Sequence, residues 1–268
     1  MNLYRNQLAY EVHGDGQPIY FLHGMSLSSI SMSSIYERIV NHDKFRRYYI
    51  DLPGMGASQN VQGINNSDDV VKLLADFIVD TASNSPIILV GHSYGGYLAF
   101  ALAQKLISVV GVFNTCPVVI ADSDDRHVAE HTTKVVEKVP NDGSMAMKGY
   151  LFLNVVISRQ TWADYQQQVV PGQQQFNSGF WDSIRNSGEY AVTNEKQLFD
   201  ELAKRILPIE VLLGRYDNVV GYKDHLAKLN QLPNSDITID ENAGHSLLID
   251  DPELVAQKWQ QFISNITD

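Results

Sequence analysis

Cysteine is nearly missing from this chain. Cys116 stands alone among 268 residues, so no intramolecular disulfide can form. The fold must then be held by burial and hydrogen bonding, as suits a reducing compartment. Positive charge is also in short supply. Lys and Arg number 20 against 31 Asp and Glu, for a net charge of −11. Such a chain carries no electrostatic footprint for nucleic acid or an anionic membrane, and neither is expected as a partner. Long apolar runs are absent too. None approaches the length of a membrane span, and Met1-Asn2-Leu3-Tyr4-Arg5-Asn6 contains no apolar signal core. The expectation is a cytoplasmic protein. No internal repeat is visible.

What is present is an ordinary globular balance, 44% hydrophobic and 19% charged. That supports one large core with room for an insertion. Short apolar runs at 19–22, 48–50, 87–90, 109–113, 209–213 and 237–239 alternate with helical patterns. The alternation predicts a mostly parallel sheet covered on both faces, with functional loops at the carboxyl ends of its strands. Ser67-Asp68-Asp69 is expected to cap a helix that carries Val70, Val71, Leu74, Phe77 and Ile78. Asp250 and Asp251 are expected to cap a closing helix over 252–266.

The interval 118–207 breaks this rhythm. It holds polar helix-like pieces, a glutamine-rich patch (Gln166, Gln167, Gln168, Gln173, Gln174, Gln175) and scattered aromatics. It is expected to be a mainly helical cap inserted in a core made of 1–117 and 208–268. The glutamines are expected to form a solvated helix face, and the aromatics to bury an apolar part of a substrate.

The chemistry gathers at Gly91-His92-Ser93-Tyr94-Gly95, a G-x-S-x-G pentapeptide. An apolar strand precedes it and an Ala- and Leu-rich helix follows without a break. Strand, sharp turn and helix together predict a nucleophile elbow. Gly91 and Gly95 lie where a side chain would collide with the turn, and the helix N-terminus directs partial positive charge at Ser93. A serine nucleophile needs a base, and the base needs an orienting carboxylate. His245, in the loop Asn242-Ala243-Gly244-His245-Ser246, is the candidate base. Asp217, just past the run 209–213, is the candidate acid, with Asp224 as runner-up. The N–H groups of Met25 and Tyr94 are the candidate oxyanion donors. His23 is expected to pin the loop after the first buried strand, and His92 to be structural.

Two other motifs are set aside. His127-Val128-Ala129-Glu130-His131 fits the H-x-x-E-H pattern, and on a helix its histidines would share one face as zinc ligands do. No third ligand or supporting fold accompanies them, and no metal is expected. Cys116 follows an apolar strand and reads as a small buried hydrophobe.

His23-Gly24, Asp51-Leu52-Pro53-Gly54-Met55-Gly56-Ala57-Ser58, Gly91 to Gly96, Gly214-Arg215-Tyr216-Asp217 and Gly244-His245 span nearly the whole chain. In these pieces and their order the sequence resembles the α/β-hydrolase superfamily, in its capped serine-hydrolase branch. The resemblance implies a three-layer α/β-hydrolase fold. Its mostly parallel eight-stranded sheet would have an antiparallel second strand, with a helical cap inserted after the sixth. It implies hydrolysis of a small-molecule carboxylic ester through an acyl-enzyme, without a cofactor. Lactone opening, small-peptide aminopeptidase action and C–C bond cleavage remain open on the same triad, as does a ligand sensor with little turnover. Arg126, Lys148, Arg159 and Arg185 are the cap cations available to a charged substrate. The oligomeric state is left open.

Overall fold

The computed structural model describes residues 1–267. The first half alternates strand and helix: β1 (Asn2–Tyr4), β2 (Leu8–His13), β3 (Gln17–Leu22), α1 (Ile30–Ile39), β4 (Phe45–Ile50), α2 (Ser67–Ala82), β5 (Ile87–His92), α3 (Tyr94–Lys105) and β6 (Val109–Thr115). An interval of another character follows, with β7 (Lys134–Val135), α4 (Met145–Leu153), β8 (Val156–Ile157), α5 (Arg159–Gln168), α6 (Val170–Gln174), α7 (Ser178–Asn186) and α8 (Glu195–Ala203). The alternation then resumes with β9 (Ile209–Gly214), α9 (Lys223–Leu229), β10 (Ser235–Asp240), α10 (Leu247–Asp250) and α11 (Pro252–Thr267). Among the described residues no helix is long and apolar enough to cross a membrane.

Eight strands form one sheet in the order β1-β2-β4-β3-β5-β6-β9-β10. β2 runs antiparallel to both β1 and β4, and every other pairing is parallel. The continuous apolar runs explain the centre of the sheet. β5 and β9 are buried along their whole length, which requires cover on both faces. α1 packs on α11, where Tyr36 and Trp259 meet edge to face above Phe113. α2 and α8 pack on α3. β7 and β8 form a separate parallel pair. Beside them Met147, Tyr150, Ile157, Tyr165, Val169 and Ile249 make a second apolar cluster.

The entry to α2 lies one residue earlier than expected. Asn66 is the N-cap, its side chain accepting the Asp69 N–H at 2.7 Å. The Ser67 hydroxyl is already engaged with the Tyr94 hydroxyl at 2.8 Å and the Tyr190 carbonyl at 2.6 Å. Parallel pairing brings the carboxyl ends of β3, β5, β6, β9 and β10 to one edge. The loops there carry Met25, Ser93, Cys116, Asp217 and His245.

Candidate active site

Ser93 joins β5 to α3 in a conformation that side chains seldom adopt, with φ 53° and ψ −118°. The turn is fixed from several sides. The Ser93 N–H donates to the Thr115 carbonyl at 3.0 Å, and the Ser93 carbonyl accepts from Tyr97 at 3.2 Å and Val118 at 3.0 Å. A Cβ on Gly91 would stand 2.5 Å from the Gly96 Cα, and one on Gly95 would meet the Leu22 carbonyl. Both glycines are there because backbone passes where a side chain would be.

The structure brings Ser93, His245 and Asp217 together. The Ser93 hydroxyl lies 3.0 Å from His245 Nε2, and His245 Nδ1 donates to Asp217 Oδ2 at 2.8 Å. Asp217 Oδ1 accepts the N–H groups of Val219 at 2.8 Å and Val220 at 2.9 Å. All three residues are buried. Burial alone would raise the Asp217 carboxyl, but the His245 ring and those two N–H groups outweigh it and hold it below its ordinary value. With Nδ1 committed to Asp217, Nε2 is free to accept the serine proton. An arrangement of this kind can move that proton to the ring as the oxygen attacks, the carboxylate holding the charged ring in place.

Neither His92 nor His23 competes for that role. His92 is bonded through Nδ1 to Thr115, and burial, then the nearby His245, pushes it down to about 3. His23 donates from Nδ1 to the Gly24 carbonyl and accepts the Leu52 N–H at Nε2, and burial lowers it too. It ties the loop after β3 to the loop after β4. The backbone N–H groups of Met25 and Tyr94 have no protein acceptor among the described residues. Met25 and Ser93 line the same cavities.

Those cavities lie on two sides of Ser93. One, of about 60 Å³, is walled by Leu27, Leu153, Val169, Leu248 and Ile249. Gln168 and Gln173 border it, so the glutamine patch is not wholly a solvated face; Gln168 is buried and Gln173 donates to the Tyr165 hydroxyl at 3.0 Å. The other, of about 550 Å³, is lined by Arg126, Arg185, Tyr190, Glu195 and Val118. Four of the aromatics expected to face a substrate are engaged elsewhere. Tyr150, Trp162 and Tyr165 pack on one another, and Trp181 is buried with its Nε1 donating to the Pro53 carbonyl at 2.9 Å. Tyr190 is the aromatic side chain on the large cavity among the described residues.

The remaining candidates separate cleanly. Asp224 is held by His127, accepting its backbone N–H and Nδ1, both at 2.8 Å. Residues 127–131 are not helical, and His131 Nε2 donates to the Leu151 carbonyl, so the two histidines have unrelated partners. Lys148 is exposed, and Arg159 pairs with Glu137. Cys116 is buried beside Asp217 and His245, and burial pushes its thiol well up. Asp250 does not cap α11. That task falls to Asp251, which accepts the Leu254 N–H at 2.9 Å. Asp250 instead accepts from Gly244, Val155 and Val156, three backbone groups, and from the Asn154 side chain. No local pattern marks that role.

A profile described as the alpha/beta hydrolase family matches residues 19–258. Among curated proteins the chain is similar to a pimeloyl-[acyl-carrier protein] methyl ester esterase of Vibrio vulnificus. Identity is 24%, over 95% of this chain and 97% of that one. Among solved structures it is similar to an alpha/beta superfamily hydrolase from Oenococcus oeni PSU-1. There the TM-score is 0.93 at 36% identity, covering 100% of this chain and 99% of the other. A thermophilic esterase from Thermogutta terrifontis shares the fold with a TM-score of 0.71 at 24% identity, covering 97% and 94%.

Proposed function

We propose that this chain, which belongs to the alpha/beta hydrolase family, is a serine esterase that hydrolyses a small carboxylic ester through Ser93, His245 and Asp217. The observation that carries the reading is the unbroken hydrogen-bond line from the Ser93 hydroxyl through His245 to Asp217. As Ser93 attacks the ester carbonyl, His245 takes its proton and Asp217 steadies the charged ring. The N–H groups of Met25 and Tyr94, free of protein acceptors, receive the oxyanion. His245 then protonates the departing alcohol. In the second half it draws a proton from a water whose oxygen attacks the acyl carbon, and it returns that proton to the Ser93 oxygen as the Oγ–acyl bond breaks and the acid leaves.

The interval 118–207 acts as a cap that closes the site and sets specificity, and the protein works in the cytoplasm. The family relationship and relatives named as esterases favour an ester over an amide.

The test is labelling with a fluorophosphonate probe together with turnover of short methyl and p-nitrophenyl esters. Ser93 should be labelled, and Ser93→Ala should lower kcat by roughly 10⁴-fold or more. Wild-type turnover by that variant would sink the assignment. Labelling without turnover on esters, lactones or proline amides would point to a ligand sensor instead.

A further inference from the structure

We propose that the large cavity beside Ser93 contains a carboxylate-binding subsite built on Arg126, so that the preferred substrate is an ester carrying a carboxylate at its far end. This rests on the serine-esterase reading and goes beyond it by naming the substrate class.

The argument begins with how Arg126 is held. Its Nε donates to the Ile120 carbonyl at 2.8 Å, one Nη to the Ala121 carbonyl at 2.8 Å, and the other to the Val219 carbonyl at 3.3 Å. Three carbonyls fix the plane of the guanidinium without neutralising it. A guanidinium has five N–H donors; three go to carbonyls and the Tyr190 hydroxyl draws on another, which leaves one for something in the cavity. Among the described residues no carboxylate forms an ion pair with Arg126. A half-buried cation fixed in a cavity wall without a counter-ion is an unusual expense unless a ligand supplies the negative charge.

The neighbours support the same conclusion. Burial pushes the Tyr190 phenol up to about 12, against the pull of Arg126 and then Arg185. Tyr190 is therefore a neutral O–H beside two guanidinium groups. Arg185 lies over the Tyr190 ring at 5.6 Å, and its contact to Asp182 is long, at 4.0 Å. The two acids on this wall are occupied by neutral donors. Glu195 accepts the Ala121 N–H at 2.6 Å and the Tyr97 hydroxyl at 3.2 Å, and Asp122 accepts the Asp124 N–H at 3.0 Å. Neither acid pairs with Arg126, which is left without a counter-ion, while Arg185 keeps its long contact to Asp182.

The two volumes assign the ends of the substrate. The apolar space of about 60 Å³ admits a group of only a few heavy atoms. The space of about 550 Å³ takes the longer end, and Arg126 receives the charge there. The ester carbonyl lies between them at Ser93, which lines both.

The experiment compares three methyl esters of matched length: monomethyl adipate, methyl hexanoate and methyl 6-aminohexanoate, followed by methanol release. Wild-type protein should favour the anionic ester over the neutral one by about 10-fold or more in kcat/KM. That ratio should fall about 10-fold in Arg126→Gln and less far in Arg126→Lys, which keeps the charge but loses the fork. Because the readout is a ratio within each variant, general damage to the loop cancels. Arg185→Gln, at an exposed position, should lower the ratio too. Equal rates on all three esters, or preference for the neutral or cationic one, would overturn the subsite while leaving the esterase reading intact. Calorimetric binding of adipate to Ser93→Ala, with and without Arg126→Gln, reads the subsite without catalysis. Adipate binding lost with Arg126 supports it even if no ester turns over, and absence of adipate binding overturns it.

Discussion

The Asp250 carboxylate accepts the backbone N–H of Gly244, the residue before His245, at 3.0 Å. The same carboxylate accepts Val155 N–H at 3.0 Å, Val156 N–H at 3.0 Å and the Asn154 side-chain N–H at 3.2 Å. The Ser246 N–H adds a bond to the Leu153 carbonyl at 3.3 Å. One buried side chain thus clamps the His245 loop to the chain leading into β8. Asp250→Ala would leave these donors buried without an acceptor. It should lower unfolding free energy by about 3 kcal/mol in urea titration. It should also reduce kcat more than it raises KM, because His245 loses its fixed position. An unchanged kcat would show that the loop is held by its other contacts.

The clamp also carries a pH signature. Burial pushes the Asp250 carboxyl from 3.8 up to about 6, and the backbone donors pull it back only in part. As pH rises, the unfolded carboxyl ionises first, so between about 4 and 6 the folded chain holds the extra proton. The stability attributable to this group therefore falls through that window and levels off above it. In Asp250→Ala the slope is absent. The gap between the two proteins should change by up to roughly 1 kcal/mol per pH unit from about 4 to about 6. Parallel stability curves would contradict the assignment.

Asp217→Asn tests the relay in a different way. The amide oxygen can still accept from Val219 and Val220, which turns the amide NH₂ towards His245 Nδ1. The ring must then carry its proton on Nε2, facing the Ser93 hydroxyl with a donor instead of an acceptor. The fold should survive, with a melting temperature near that of the wild type, while kcat falls by roughly 10³- to 10⁴-fold. A loss of less than about 10-fold would mean that Asp217 does not set the tautomer.

The elbow makes a steric prediction. A Cβ on Gly95 would collide with backbone, the carbonyls of Leu22 and His23, and no rotamer can relieve that. Gly95→Ala must therefore push α3 away from β3. It should cost about 1–3 kcal/mol or more and abolish fluorophosphonate labelling. Gly188→Ala is the control, since nothing lies within 4 Å of its Cβ, although its φ of 79° adds some strain. Labelling of the Gly95 variant at the wild-type rate would show that the turn tolerates displacement.

The sheet was legible because its centre is made of continuous apolar runs, such as β5 and β9, whose length and turn-rich flanks leave few alternatives. That Ser93 and Asp217 meet at one edge was legible because each follows such a run; His245 follows the half-buried Ile-Thr-Ile of β10 and was placed by its Gly-containing loop. The features with no sequence signal depend on distant partners. Asp250 resembles a helix cap in sequence, and Val155 is far away in the chain. The His127 to His131 spacing suits a helix, yet Asp224 captures the His127 backbone N–H and ring, and the segment lies outside any helix. Ser67 would serve as an N-cap, but its hydroxyl is taken by Tyr94 and Tyr190. In each case a tertiary partner overrides a sound local preference.

Cys116 closes the set, because a thiol this near the relay is a rival nucleophile. Its ligand atom lies within 4.8 Å of those of Asp217 and His245. Proximity alone would suggest a Cys–His pair, but the environment argues otherwise. His245 Nε2 is directed at Ser93 and Nδ1 at Asp217, so neither ring nitrogen is left for sulfur. The thiol donates instead to the Gly244 carbonyl at 3.6 Å. Burial, with the Asp217 charge beside it, pushes the thiol well above its ordinary value, so no thiolate is present near neutral pH. Iodoacetamide at pH 8 should therefore leave ester hydrolysis intact, and Cys116→Ala should stay within about 3-fold of wild-type kcat/KM while losing about 1 kcal/mol of stability. Rapid inactivation by iodoacetamide, together with loss of activity in Cys116→Ala, would shift the nucleophile from Ser93 to Cys116.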